Sequence, residues 1–247
     1  MRRIAIWAAK GGTGKTTATL NLAAVLAQRG KRVLLADLDP QATATRGLRV
    51  EPEAGLLDLL LDQGDLGERI VQVPDVQNLD LLPGSPDAAS AERQLAGEAG
   101  AERLLALALG RLRRYDLVLL DCPPGVGILV VSALAAATEH VAPVDPAPFA
   151  VAGLSDTLAV ADTVRQRLNP KLARTRVLLS RVARTRAARE TVAGLRQRLG
   201  DRVLATEIPE RAVVVEATAA KQPVVSYAPD HPVAEAFVAL ARELEKR

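Results

Sequence analysis

Lys10-Gly11-Gly12-Thr13-Gly14-Lys15-Thr16-Thr17 is the stretch on which the reading of this chain turns. It follows a short apolar run, Arg3 to Ala8. It opens a segment in which Leu20, Ala23, Ala24 and Ala27 recur at helical spacing, with Gly30 as a stop. A glycine-rich turn between a strand and a helix lets successive backbone N–H groups point at phosphate oxygens. The helix that starts at Lys15 adds the positive end of its dipole. In this pattern Lys15 brings a positive charge to the β- and γ-phosphates of a nucleotide, and the Thr16 hydroxyl is placed to ligate Mg²⁺. Expected nucleotide contacts run along the whole loop, Lys10, Gly11, Gly12, Thr13, Gly14, Lys15, Thr16 and Thr17. A loop of this kind does not require its first lysine, Lys10.

Two acidic clusters stand where the same chemistry needs them. Arg32 to Ala36 reads as a buried strand that closes on Asp37-Leu38-Asp39-Pro40-Gln41. A parallel sheet gathers its carboxyl strand ends around the ligand crevice, so this turn faces the phosphates. Phosphoryl transfer asks mainly for positioning and charge stabilisation, which a carboxylate beside the nucleotide supplies. Leu117-Val118-Leu119-Leu120-Asp121-Cys122-Pro123-Pro124-Gly125 is an apolar strand ending in an acid, which places Asp121 near the Mg²⁺ shell. Asp37, Thr16 and Asp121 are the metal candidates. The Pro-Pro-Gly loop that follows is expected to sense the γ-phosphate.

Short apolar runs alternate with helical stretches along the rest of the chain, the signature of βαβ units and a parallel sheet. Strands are expected at Leu79–Leu82, Tyr115–Leu120, His140–Val144, Val177–Leu179 and Val203–Thr206. Helices are expected at 101–112, 126–137, 153–168, 187–199 and 232–245. Glu51 to Gly100 reads as short helices and loops. The expected fold is α/β, a P-loop NTPase with a mostly parallel central sheet flanked by helices on both faces, in a single domain spanning 1–247. At 247 residues such a domain buries enough surface to do without disulfides. Cys122 is the one cysteine, which excludes an internal disulfide, suits a reducing cytoplasmic setting and reads as a packed core thiol. No apolar run approaches the ~20 residues of a spanning helix, and no secretory signal is legible.

Net charge is only +3, but it is unevenly spread. Arg165 to Arg211 holds thirteen Lys or Arg against four Asp or Glu, a local net of +9. Such asymmetry points to an acidic polymer as partner. Phosphate contacts from Arg181, Arg184, Arg186, Arg189 and Arg211 would give salt-dependent affinity for DNA of any sequence.

Taken together, these motifs resemble the ParA/MinD group of deviant Walker ATPases, and most closely the chromosome-type partition proteins within it. The resemblance runs nearly the full length. It includes Gly30-Lys31-Arg32-Val33-Leu34-Leu35, Tyr115-Asp116, Asp121-Cys122-Pro123-Pro124, Phe149-Ala150, Gly153-Leu154-Ser155, Ile208-Pro209, Glu216-Ala217 and Ala234-Glu235-Ala236. It implies a weak ATPase with ATP and Mg²⁺, a homodimer in the ATP state, non-specific double-stranded DNA, a ParB-like stimulating partner and nucleoid association. By carry-over Lys10 acts in trans across the dimer, and Lys15, Asp39 and Asp121 complete the catalytic set. Pro209 and Glu210 border the adenine. Departures are Thr13 where Val is usual, Glu210 and Arg211 in place of Arg and Asn, and Val213 in place of a basic residue linked with DNA. A membrane-cycling relative would want a basic, aromatic amphipathic tail. A relative that positions a protein cargo, or serves a plasmid, stays open at this point.

Overall fold

The computed structural model describes residues 1–51, 60, 65–84, 88–147 and 150–246. Phe149, and part of the Glu51 to Gly100 segment, lie outside the described residues. As far as residue 209 strands and helices mostly alternate, the exceptions being two consecutive strands (Val71–Gln72 and Leu79–Leu82) and two consecutive helices (Ala88–Gly97 and Ala101–Arg111). β1 (Arg2–Ile6) leads through the glycine loop into α1 (Lys15–Gln28). β2 (Val33–Asp37) is followed by α2 (Thr43–Gly47), the short β3 (Val71–Gln72), β4 (Leu79–Leu82), α3 (Ala88–Gly97) and α4 (Ala101–Arg111). Then come β5 (Leu117–Asp121), α5 (Ile128–Ala136), β6 (Glu139–Val144), α6 (Ala150–Arg167), β7 (Arg176–Val182), α7 (Arg186–Leu199) and β8 (Val203–Pro209). Three helices close the chain: α8 (Ala212–Ala219), α9 (Val224–Tyr227) and α10 (Pro232–Glu245).

The strands form one sheet in the order β3-β4-β2-β5-β1-β6-β7-β8. β3 alone runs antiparallel. Register follows side-chain alternation, because successive residues of a strand face opposite sides. Ile4 and Ile6, Val33 and Leu35, and Leu117 and Leu119 point to the face covered by α1 and α10, where Phe237 and Leu240 are fully buried. Ala5 and Trp7, Leu34 and Ala36, and Val118 and Leu120 point to the face covered by α4 and α5. Both faces are therefore apolar, as a parallel sheet with crossovers on each side requires. α10 starts where His231 Nδ1 accepts the amide of Val233 at 3.2 Å and Pro232 occupies the first turn.

This order brings the carboxyl ends of β2, β5 and β1 side by side. Ile6 pairs with Asp121, and Asp37 pairs with Asp121 from the other flank. Three functional segments thus meet at the middle of the sheet, as the sequence anticipates. The strands extend somewhat differently from expectation: β1 ends at Ile6, while β7 and β8 each run to seven residues.

Candidate active site

The glycine loop is shaped by two left-handed glycines, Gly12 (φ 73°) and Gly14 (φ 84°). Any other residue there would be strained. Gly14 precedes α1 and carries no capping side chain, and the first turn of α1 holds no acid. The amides of that turn are thus left for an external anion. Thr13, expected among the nucleotide contacts, does not line the nucleotide cavity: it borders the small pocket that holds Lys10 and Gly153, and its buried Oγ1 has no hydrogen-bond partner among the described residues. The Lys15 ammonium is buried and donates to the carbonyl of Lys10 at 3.1 Å. Burial pushes its pKa down, while Asp121 and Asp39 pull it back up.

Behind the loop, Asp121 is fully buried and accepts two hydroxyls, from Thr16 at 2.8 Å and from Thr19 at 2.9 Å. Burial raises its pKa, and the neighbouring Asp37 adds to the effect. Asp37 has both carboxylate oxygens engaged. One accepts the amide of Asp39 at 3.1 Å, and the other accepts the amide (2.8 Å) and hydroxyl (2.7 Å) of Thr45. It therefore braces the turn that carries Asp39. Burial, partly offset by these hydrogen bonds, raises the Asp37 pKa. Asp39 itself reaches the cavity wall, with Oδ1 accepting the amide of Gln41 at 2.8 Å. No cluster of three or more His, Cys, Asp or Glu side chains among the described residues is arranged to hold a metal. The donor set of Thr16 backed by Asp121 instead suits Mg²⁺, which keeps several waters and leans on substrate phosphates.

The cavity encloses about 430 Å³ between the glycine loop, the ends of β7 and β8, and α8. Gly11, Gly12, Gly14, Lys15, Thr16 and Thr17 line one side, with Asp39 and Pro124 at the acidic end. Pro209, Glu210 and Arg211 line the other. Lys10 does not line it. Its side chain is exposed on the opposite flank of the loop, where a Cβ added at Gly153 would sit 3.3 Å from Lys10 Cβ.

The five arginines expected on one surface are divided. Arg181, in the left-handed region at φ 56°, donates to the Gly12 carbonyl at 2.9 Å and to Glu210 at 2.8 Å. It also lies 3.8 Å from Asp145. Arg181 and Arg211 therefore form part of the cavity wall. Arg184, Arg186 and Arg189 are exposed at the start of α7, where Arg186 pairs with Glu190 at 2.7 Å.

Several contributors escape the motifs. Val214, Val215 and Thr218 of α8 supply an apolar wall, and Ser180 lies against Gly14. Trp7 Nε1 donates to the Gly125 carbonyl at 3.0 Å, and the Gly125 amide donates to the Ala9 carbonyl at 2.9 Å. These bonds tie the Pro-Pro-Gly loop to the strand that feeds the glycine loop. Cys122 is fully buried, and burial raises its pKa, so its thiol is inert packing.

A family model described as an AAA domain matches residues 1–174. The chain is similar over its whole length to the chromosome-partitioning ATPase Soj of Thermus thermophilus, with 43% identity covering 96% of that protein. It is 38% identical to the sporulation initiation inhibitor protein Soj of Bacillus subtilis, covering 98% of this chain and 97% of that one. Among solved structures, cobyrinic acid a,c-diamide synthase from Mycobacterium smegmatis with bound ADP and magnesium superposes with a TM-score of 0.85. That match has 30% identity and covers 99% of this chain and 94% of that chain. MinD from Pyrococcus horikoshii, complexed with Mg-ADP, gives 0.80 at 29% identity, covering 99% and 96%. A glycine loop with a second lysine, an aspartate behind Thr16 and matches of this extent all agree: the chain belongs to the ParA/MinD family of P-loop ATPases.

Proposed function

We propose that this chain is a partition ATPase that uses ATP hydrolysis as a switch between a paired, DNA-holding form and a released one. ATP and Mg²⁺ occupy the central cavity. Lys15 and the amides of Gly12 to Thr17 bind the phosphate chain. Thr16, oriented by Asp121, holds the metal, which supplies charge neutralisation on the transferring phosphoryl group. Asp39, fixed in place by Asp37 and by the turn to Gln41, orients the attacking water.

The observation that carries the paired form is the division of labour between the two lysines. Lys15 is buried in its own cavity, whereas Lys10 is exposed and faces away from it. A cation held on the outside of a phosphate loop is suited to the nucleotide of a second copy. Val126, beside the Pro-Pro-Gly loop, is 59% exposed and offers further apolar surface for a partner copy. In this reading Arg184, Arg186 and Arg189 of the paired form hold double-stranded DNA without sequence preference. A ParB-like partner accelerates hydrolysis and release on the nucleoid.

Sizing chromatography in ATP, ADP and no nucleotide tests this directly. An Asp39→Ala chain should elute as a dimer in ATP and bind DNA, and Lys10→Ala should stay monomeric while still binding ATP. A Lys10→Ala chain that pairs normally would refute the trans role.

A further inference from the structure

The Pro-Pro-Gly loop is held at both of its ends. At Gly125 the Trp7 indole and the Ala9 carbonyl fasten it to the strand that feeds the glycine loop. A Cβ added at Gly11 would lie 3.9 Å from Pro124 Cβ, so the two loops are in contact. The other end is Gly127, the residue before α5. Its backbone is extended, with φ −150° and ψ −178°, a conformation open to any residue. The backbone therefore does not require glycine there. A neighbouring side chain does: a Cβ on Gly127 would lie 2.5 Å from Glu92 Oε1 and 3.7 Å from Glu92 Cδ.

Glu92 belongs to α3 and to none of the three motifs of the site. Leu95 stands three residues further, on the same face of the helix, and is buried in the core with side chains of α4 and α5. That anchor turns Glu92 toward the Pro-Pro-Gly loop, and α3 packs on α5 as well as on α4. The Glu92 side chain is half-buried, and no ion pair or hydrogen bond engages it among the described residues. It lies close enough to Asp39 for that carboxylate's charge to oppose its own, which adds to the cost of burial. Part of that cost is offset at the start of α5. Gly127 offers no capping side chain and the first turn of α5 carries no acid, so the positive end of the helix dipole is left to the carboxylate.

We propose that Glu92 is a positioning residue for ATP hydrolysis, the spacer that fixes how far the Pro-Pro-Gly loop stands from Asp39. The loop then meets the γ-phosphate at a set distance from the carboxylate that orients the attacking water. Glu92 does not line the cavity, so it acts through the loop and not on the nucleotide. It governs turnover and leaves ATP binding to the glycine loop and Lys15. This inference rests on the role proposed above for Asp39. Displacing a positioned group by about 1 Å costs on the order of a hundredfold in rate, so loss of a spacer is readable in kcat.

The test measures kcat and KM for Mg-ATP, with the melting temperature, on the full-length chain. Glu92→Ala should lower kcat by about tenfold or more, with KM within about twofold of wild type and no loss of thermal stability. Glu92→Gln keeps the shape of the side chain and should keep most of the wild-type rate. Gly127→Ala removes the same contact by an independent route. The flexible carboxylate must swing aside, and kcat should fall as it does in Glu92→Ala. A Cβ on Gly127 meets nothing within 4 Å except Glu92, so the double variant should be no slower than Glu92→Ala alone. The proposal fails if either alanine variant keeps its kcat, if KM rises in step with the fall in kcat, or if Glu92→Gln loses as much as Glu92→Ala. It fails equally if the two losses multiply in the double variant. Asp39→Ala separates the underlying reading. Normal turnover in that variant would overturn the role of Asp39 and the spacer together, whereas lost turnover there beside unchanged Glu92→Ala would overturn the spacer alone.

Discussion

Thr16 Oγ1 donates to Asp121 Oδ2 at 2.8 Å, so the hydroxyl that faces the cavity is aimed by a carboxylate that is itself sealed from solvent. Without a cation, Asp121 is buried beside Asp37 and disfavoured as an anion. Asp121→Asn removes that repulsion and keeps one acceptor for Thr16. The ligand-free variant should therefore melt several degrees higher than wild type, by roughly 1–2 kcal/mol. It should lose the further rise that Mg²⁺ with ATP gives wild type. Differential scanning calorimetry with and without Mg-ATP reads both effects.

Gly84 holds the acidic turn in place. Its amide donates to Thr45 Oγ1 at 2.9 Å, and a Cβ there would lie 2.9 Å from Ala42 Cβ, 3.1 Å from Ala42 Cα and 3.3 Å from Asp37 Cγ. The Ala42 atoms are fixed by backbone and cannot swing away. Gly84→Ala should cost about 1–3 kcal/mol by overpacking. By displacing the Asp37–Asp39 turn it should also lower the hydrolysis rate more than ATP affinity. Equal losses in both would show that the turn does not act selectively on the attacking water.

Arg181 and Glu210 are each about half exposed, 48% and 50% at their side chains. An ion pair so exposed contributes little to folding, under about 1 kcal/mol. Arg181→Ala should therefore leave thermal stability almost unchanged. It should weaken ATP binding by several-fold, because the Gly12 carbonyl and the cavity wall lose their brace, while DNA affinity of the ATP form stays the same. Isothermal titration with ATP, beside DNA binding, separates these outcomes. A loss confined to DNA would restore Arg181 to the DNA surface.

His140 is fully buried between Trp7 and Thr175, its Nε2 3.1 Å from the Trp7 carbonyl and its Nδ1 2.9 Å from the Thr175 hydroxyl. Burial pushes its pKa down to about 4. The folded chain therefore keeps it neutral where the unfolded chain, near about 6.5, takes up a proton. Stability from this site is complete above about pH 6.5 and is lost as pH falls toward about 4, by about 3 kcal/mol. Denaturant melts of wild type and His140→Gln between about pH 4 and 7 should converge toward the acid end. Parallel curves would mean that His140 is not the group responsible.

The centre of the site is legible in the sequence because its chemistry is written in consecutive residues. Gly11 to Thr17, Asp37 to Gln41 and Asp121 to Gly125 each carry their own strand end and turn, and the parallel topology then places them together. α8 is not legible. Val213-Val214-Val215 is a run of β-branched residues with no helical polarity pattern, and its helix is set by packing against α9 and the cavity instead. The engagement of Asp37 is hidden for a related reason. Thr45, eight residues later, satisfies it through a turn that contains Ala42 in the left-handed region. Nor could spacing reveal that Arg181 folds back onto Gly12, 169 residues away, while Arg184 is left exposed. Proximity of that kind belongs to the sheet order and not to any local pattern.

Trp7 is the one tryptophan of the chain, and its indole N–H is held by Gly125, next to Pro124 at the acidic end of the cavity. Its ring also lies 5.7 Å from His140, and the side chain is wholly shielded from solvent. A single tryptophan therefore sits between the glycine loop and the Pro-Pro-Gly loop, the two segments proposed to respond to a γ-phosphate. Emission intensity and wavelength should report the closing and reopening of that loop in real time, turnover by turnover, with no label attached.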